Sequence, residues 1–429
     1  MLDYLGKKLS GQVDDFVLIE SVGDSSDIKF VDNKIVKTGL ESISSIFIFV
    51  AKDKKIVATT LKDMTEKSAD KIVGEIVEFL KHAQPNNDYN GIAEGSFSYK
   101  NIVDGFDKGV KNIDAVDIVE SGINAALKNS KRASGKLDSS IGMRKILTSS
   151  GVNASEDFSS LYFSIRALNS PKESGHKTIS SRILSDFKVE KISEKAGEIA
   201  KMALKPEKGK EGRFDMIIDP LPLADLMGTV GSAASIDSVE SGMSFFSGKL
   251  GKKIGDFNLI DDGKLSGGLG STSFDDEGVP TQRTRIISEG FLRTYLHNTS
   301  TAKKYKVKTT ANAGLIGPSP SNLILEGKKG NPFDIDNGIY VTNVWYTRFQ
   351  NYATGDFSTI PRDGMFLIEN GEICGPINGL RISENMLNLL KNISVFGKNP
   401  QQITSWEAEI PVITPDVLIK NVRFTKPTS

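Results

Sequence analysis

Residues 215–237, DMIIDPLPLADLMGTVGSAASID, constrain this chain more than any other stretch. Met216, Ile217 and Ile218 form a short apolar run that reads as a buried strand. Asp219-Pro220-Leu221-Pro222 ends that strand and opens a helix, because proline fixes φ and suits a first helical turn. Leu223, Leu226, Met227, Val230 and Ala234 then recur at helical spacing. A strand that turns sharply into a helix often presents catalytic groups at the helix start. Here the helix carries no His, no Cys and no Glu before Glu240. The position where chemistry is expected is chemically empty.

What surrounds this stretch follows from period and punctuation. Leu2, Leu5 and Leu9 suggest a short amphipathic helix. Strands follow at 16–20, 28–30, 35–36, 46–50 and 56–59, with Asp32-Asn33 and Lys52-Asp53-Lys54 as turns. Over 65–82 the period changes, and Ile72, Ile76 and Leu80 mark an amphipathic helix. A second unit contains helices through Val116, Val119, Ile123 and Leu127 and through Val189, Ile192, Ala196, Ile199 and Ala203. Between these helices lie strand-like runs at 140–148 and 161–168. The charged, Pro- and Gly-bearing run 205–212 has nothing to bury and reads as a boundary. Beyond it glycines are frequent and strands short. Ser288-Glu289-Gly290 and Asn370-Gly371 mark hairpins, and a helix is expected over 384–396.

The fold expected is therefore α+β. An N-terminal mixed α/β region, antiparallel sheets with helices, precedes a β-rich, barrel-like C-terminal domain. The units are placed at 1–83, 100–204 and 213–429. A chain of 429 residues is too long for one ordinary core, which agrees with that division.

Charge and cysteine content remove several functions. Lys plus Arg equals Asp plus Glu, at 54 each, so no basic excess argues for nucleic acid. A single cysteine, Cys374, excludes an internal disulfide framework and fits a reducing compartment. The first residues, MLDYLGKKLSGQVDD, hold no apolar core of signal-peptide length, and no run is long enough to span a membrane. The cytoplasm is the expected location.

Tests for familiar chemistry fail one by one. His82, His176, His297 and Cys374 are far apart in sequence, unlike a zinc ligand set. No G-x-S-x-G occurs. The run GMSFFSGKL at 242–250 misses the phosphate-loop spacing and hydroxyl, and Gly268-Leu269-Gly270 lacks the third glycine of a dinucleotide fingerprint. Cys374 has no neighbouring histidine to activate it. Two acidic clusters remain, Asp275-Asp276-Glu277 and the turn around Asp356, each explicable as a solvated turn whose carboxylates cap backbone amides.

Those same segments carry a resemblance. SFDDEGVPTQRTRIISEGFLRTYLHNTSTAKKY at 273–305, the LIDDGKLSGGLGS before it, PSPSNLIL at 318–325, TGDFS at 354–358 and FLIENGEICGPINGLRISENM at 366–386 are long, ordered and specific. With them the chain resembles the TldD/PmbA family (the modulator of DNA gyrase family), and specifically its PmbA/TldE branch. The resemblance implies a subunit that pairs with a TldD-type partner to form a zinc metallopeptidase acting on unfolded or small peptides. In that partner the motif H-E-x-x-x-H lies on the helix after a buried strand. Met227, Gly228 and Ser232 fall at those positions here. The resemblance thus implies no catalytic residue and no metal in this chain, with zinc only in the TldD-like partner. It also implies that Asp275, Asp276, Glu277, Thr281, Arg283, Thr354, Gly355, Asp356 and Phe357 shape a peptide channel or the subunit interface. A homodimer is the expectation for the isolated chain. Two other readings stand beside this one: a self-associating peptide-binding protein, and a stand-alone hydrolase using Cys374 or the acidic cluster.

Overall fold

The computed structural model describes residues 1–314 and 316–426. Its N-terminal half is built on one antiparallel sheet. Strands β1 (Asp15–Val31), β2 (Lys34–Lys52), β3 (Lys55–Leu61), β4 (Arg132–Thr148), β5 (Asn153–Ser170) and β6 (Glu173–Ser181) lie in the order β3-β2-β1-β4-β5-β6. The β1–β2 hairpin turns through Asp32 and Asn33, with φ of 47° and 69°, and the β2–β3 hairpin through Asp53 and Lys54, with φ of 49° and 61°. These left-handed pairs match the twist of the strands they join.

Both halves of that sheet carry helices on the same face. Leu18, Ile28 and Phe30 of β1 share one parity and so one face. At one end that face is covered by α1 (Leu2–Leu9) and α2 (Glu66–His82), with Leu5, Leu9, Ile48 and Leu80 in a shared core. At the other end α3 (Ala115–Leu127) and α4 (Val189–Met202) pack on Leu137, Phe163 and Ile165. The units placed at 1–83 and 100–204 therefore contribute the two halves of one sheet, because β1 pairs with β4 along almost its whole length. The pairing is invisible in the sequence, since the partners are over a hundred residues apart.

Strand lengths also exceed those read from the sequence. β1 runs 17 residues and β2 runs 19, through polar stretches that interrupt the apolar pattern. Backbone pairing alone carries the strand there, as at Gly23 opposite Gly142, where a Cβ on either would clash with the next strand's backbone.

The C-terminal half wraps two sheets around a central helix. The strand Gly212–Ile218 is flanked by Val417–Thr425, antiparallel, and Asn337–Val341, parallel. In the second sheet Phe257–Asp262 lies between Arg283–Ser288 and Leu323–Gly327. Helix α5 (Pro220–Ala233) packs against Leu323–Gly327 and Val412–Thr414 on one side and Val344–Asn351 on the other. Nearly all its residues are buried, which explains a sequence apolar almost all round. The curled sheets bear out the α+β, barrel-like expectation. The helix expected at 384–396 is shorter: α6 (Ile236–Glu240) and α7 (Thr299–Tyr305) precede α8 (Met386–Lys391), which gives way to a strand at Ile393–Phe396. That strand pairs with Val417–Ile419, so tertiary pairing of β-branched residues overrides the helical period.

Candidate functional site

Helix α5 is the natural centre for a site, and its start is heavily anchored. Asp219 caps it by accepting from the Leu221 N–H at 3.4 Å. The same carboxylate is held by Lys177 Nζ of β6 at 2.6 Å and the Tyr340 hydroxyl at 3.0 Å. A buried ion pair across the two halves of the molecule thus fixes where α5 begins. Further along, Asp225 is buried in an otherwise apolar helix. Thr347 donates its hydroxyl to Asp225, and Thr347 also meets Thr359 at 2.9 Å. Burial pushes the Asp225 carboxyl up to about 7, opposed by the Thr347 hydroxyl and reinforced by the adjoining Glu407 carboxyl. Glu407 in turn accepts from the Tyr346 N–H at 2.8 Å. Tyr346 has φ of 58° on a bulge of the Val344–Asn351 strand, a strained backbone for a bulky residue.

Asp225 escaped the sequence analysis, although a lone acid in a helix of this apolarity was a usable signal. Thr347 and Glu407 gave none, because their role comes only from the fold.

The three α5 positions singled out by sequence differ in environment. Met227 is 0% exposed and lies in the main C-terminal core. Gly228 is buried, yet a Cβ placed there would meet no atom within 4 Å. Ser232 is exposed and donates its hydroxyl to the Gly228 carbonyl at 3.1 Å.

The acidic turn is buried rather than solvated. Asp275 accepts from the N–H groups of Glu277 at 3.0 Å, Val279 at 2.9 Å and Ala313 at 3.0 Å, so it does cap backbone amides. Burial outweighs those bonds and pushes its carboxyl up to about 7. Asp276 pairs with Arg144 of β4, and burial raises its carboxyl against that guanidinium. Arg144 also lies over the Phe274 ring at 5.3 Å. Glu277 accepts from the Thr299 N–H at the start of α7 at 3.1 Å, and burial with the Asp275 charge pushes it up to about 8. This turn clamps the C-terminal half onto the N-terminal sheet. Val17 and Ile19 complete the seam from the sheet's other face, against Phe274.

The remaining candidates serve other local geometry. Thr281 donates to the Thr272 carbonyl, and Arg283 pairs with Asp262 at 3.2 Å and Glu326 at 3.6 Å. Thr354 and Gly355 end the turn that leads into the strand Asp356–Pro361, which Asp356 and Phe357 begin. Asn385 Nδ2 binds the Thr354 carbonyl at 2.7 Å and Asp356 at 3.0 Å. Gly355 has φ of 83°, and Phe357 stacks on Phe349 at 5.5 Å. No hydrogen bond or ion pair among the described residues joins this turn to the acidic one.

The histidines and the cysteine do not converge. Cys374 is exposed on the strand Glu372–Asn378 and points to the Glu372 carbonyl. His82 is exposed at the end of α2, 3.5 Å from Glu78. His297 lies against Thr301 and Tyr305. His176 is buried, with Nε2 2.9 Å from Ser164 Oγ and Nδ1 3.1 Å from Asn343 Nδ2. The Asn343 amide nitrogen also faces Asp363 at 2.9 Å, which fixes its orientation. Nδ1 is therefore an acceptor, so Nε2 carries the proton and donates to Ser164. Burial lowers the imidazole to about 4. The pair is directed opposite to a serine–histidine nucleophile.

Comparison with known proteins assigns the scaffold. Residues 211–426 match the PmbA/TldA metallopeptidase C-terminal domain, and residues 108–204 match the central domain of the same family. The chain belongs to the PmbA/TldD family. Among its relatives is an uncharacterized protein of Methanocaldococcus jannaschii, 28% identical over 379 residues, covering 84% of this chain and 86% of that one. Another is the metalloprotease PmbA of Escherichia coli O157:H7, 33% identical over 181 residues, 41% of this chain and 38% of that protein. The crystal structure of TldE from Thermococcus kodakarensis superposes with a TM-score of 0.88 at 22% identity, covering 99% of each chain, a likeness of fold.

Membership of the PmbA/TldD family raises the question of zinc, and α5 answers it poorly. Zinc wants imidazole, thiolate or carboxylate donors around one point. Met227 is packed in the core, Gly228 has no side chain, and Ser232 turns its hydroxyl back to the helix. These residues do not fit the metal. No group of three or more His, Cys, Asp or Glu among the described residues is arranged to hold one.

Proposed function

We propose that this PmbA/TldD-family chain is the non-catalytic, TldE-like subunit of a two-chain zinc metallopeptidase that acts on unfolded or small peptides in the cytoplasm. The observation that supports it most is that Met227, Gly228 and Ser232 of α5 offer a metal no imidazole, thiolate or carboxylate, within an otherwise intact scaffold. A metallopeptidase needs a metal-bound water and a general base. Met, Gly and Ser supply neither at the helix where the family resemblance places them. In this reading zinc belongs to a TldD-type partner. The chain contributes a second wall that excludes water and positions an extended peptide.

Alone, the chain would self-associate through the surface meant for its partner, since two-fold contacts are the commonest oligomer solution. Co-purification from the native cell tests the reading. A TldD-like protein should accompany this one, and the zinc in the complex should match the partner's amount. Near-stoichiometric zinc on this chain alone, resistant to mild chelation, would overturn it.

A further inference from the structure

The loop 404–411 joins the strands Gln401–Ile403 and Val412–Thr414, which pair antiparallel beside α5. Its turn is braced from within. Ser405 and Ala408 exchange backbone hydrogen bonds at 3.0 and 3.2 Å, and Ser405 Oγ accepts from the Glu407 and Ala408 N–H groups at 3.3 and 3.0 Å. Trp406 and Glu407 are therefore carried as one piece. Trp406 meets the Trp345 ring edge to face, with centroids 5.6 Å apart. Glu407 reaches Asp225 of α5, within hydrogen-bonding distance of its carboxyl.

The two acids have too few donors between them. Asp225 accepts from the Thr347 hydroxyl, and Glu407 Oε1 accepts from the Tyr346 N–H at 2.8 Å. Glu407 Oε2 is buried and has no hydrogen-bond partner among the described residues. A bare carboxylate oxygen buried beside a second carboxyl is costly. One proton held between the groups removes that cost, because it supplies the missing donor and leaves one charge in place of two. No cation does the same work. Arg348 is exposed, donates to the Thr347 carbonyl at 2.8 Å and lies over the Tyr346 ring, with no ion pair among the described residues. Arg166 and Arg362 lie over the Trp345 ring, and Arg166 is spent on Asp363. From the strand Asp356–Pro361 it is Thr359 that faces the site, through Thr347. Glu326 on Leu323–Gly327 turns to Arg283, and Asp237 and Glu240 of α6 follow the far end of α5. His176, bonded to Asn343, is lowered to about 4 by burial and stays neutral near pH 7.

We infer that Asp225 and Glu407 form a proton-operated clamp. With one shared proton, the loop 404–411 is closed on α5 and Glu407 holds Tyr346 in its left-handed backbone. Loss of that proton to solvent sets two buried carboxylates against each other and releases the loop with Trp406. The strained Tyr346 backbone, with φ of 58°, then loses the bond that holds it and relaxes. Burial holds the Asp225 carboxyl up at about 7, from an ordinary 3.8. The closed form binds a proton that the released form gives up, so acid favours closure, and that preference is lost as pH rises through about 7. Tyr346 and Trp406 are exposed beside α5, so the clamp decides whether this aromatic surface keeps its shape. It is a property of the single chain and stands or falls separately from the pairing proposed above.

The chain has two tryptophans, and both sit at the clamp, so indole fluorescence of the full chain tests it. Trp345 Nε1 is buried without a partner in the closed form, and release admits water to it. Between about pH 5.5 and about pH 8.5 the emission maximum should move to the red in one step, and acrylamide quenching should rise with it. Asp225→Asn and Glu407→Gln each replace the shared proton with an amide N–H that cannot be lost at these pH values. Each should keep the acid-form spectrum and quenching across the range. Glu277→Gln, which alters the separate acidic turn, should leave the step in place. No step in the natural sequence, a step without a change in quenching, a step that persists in either amide variant at the clamp, or its loss in Glu277→Gln would each overturn the inference.

Discussion

Arg144 and Asp276 show how single residues hold the two halves together. Both are mostly buried, and Arg144 also stacks on Phe274. Arg144→Met leaves a buried carboxylate without its counter-charge and should cost roughly 3 kcal/mol in urea unfolding. The double change Arg144→Met with Asp276→Leu should recover much of that loss, since apolar replacement removes both desolvation costs. Equal destabilisation by the single and double changes would contradict this. Asp275 and Glu277 rise from ordinary values of 3.8 and 4.5 to about 7 and about 8. Each binds its proton more tightly folded than unfolded. Between the ordinary and raised values the folded chain carries more protons, so stability falls as pH rises through that window and levels off above it. The urea midpoint should therefore be higher at about pH 5.5 than at about pH 8.5. Glu277→Gln should shrink the difference, and an unaltered slope in that variant would count against the assignment. The identity of these acids was legible in the sequence, but their burial was not: a DDEG run looks like a solvated turn until β4 is laid against it.

At the scale of an element, α5 was legible almost entirely. The run Met216-Ile217-Ile218, the prolines and the helical period gave strand, break and helix, because each signal is local. The long sheet was legible only in pieces. Its turns at Asp32-Asn33 and Asp53-Lys54 have local chemistry, whereas the β1–β4 pairing is non-local and the polar middles of β1 and β2 carry no periodic signal. The site was half legible for the same reason: Met227, Gly228 and Ser232 are read along one helix, while Thr347 and Glu407 reach Asp225 from distant strands. Two glycines of α5 make a paired test. A Cβ at Gly231 would lie 2.5 Å from Leu323 Cδ1, whereas one at Gly228 meets open space. Gly231→Ala should destabilise by about 1–3 kcal/mol through overpacking. Gly228→Ala should stabilise by up to about 1 kcal/mol through helix propensity. Similar effects from the two would show that the packing around α5 differs from that described.

On the scale of the whole molecule, two halves are fastened by buried pairs at Lys177–Asp219, Arg166–Asp363 and Arg144–Asp276. Such fastening favours a rigid wall over a jaw, in keeping with a subunit that shapes a channel. No helix among the described residues is long and apolar enough to cross a membrane. Light scattering on the isolated chain should give a dimer at micromolar concentration, and a monomer at high micromolar concentration would count against self-association. Cys374→Ala should leave any activity of the complex near normal, because Cys374 contacts no histidine. The most direct measurement is cleavage of an unstructured peptide by the purified chain, alone and after adding a TldD-type partner that bears the H-E-x-x-x-H motif. The account predicts no cleavage by the single chain and chelator-sensitive cleavage by the pair. Turnover by the single chain, abolished by Cys374→Ala, would contradict it.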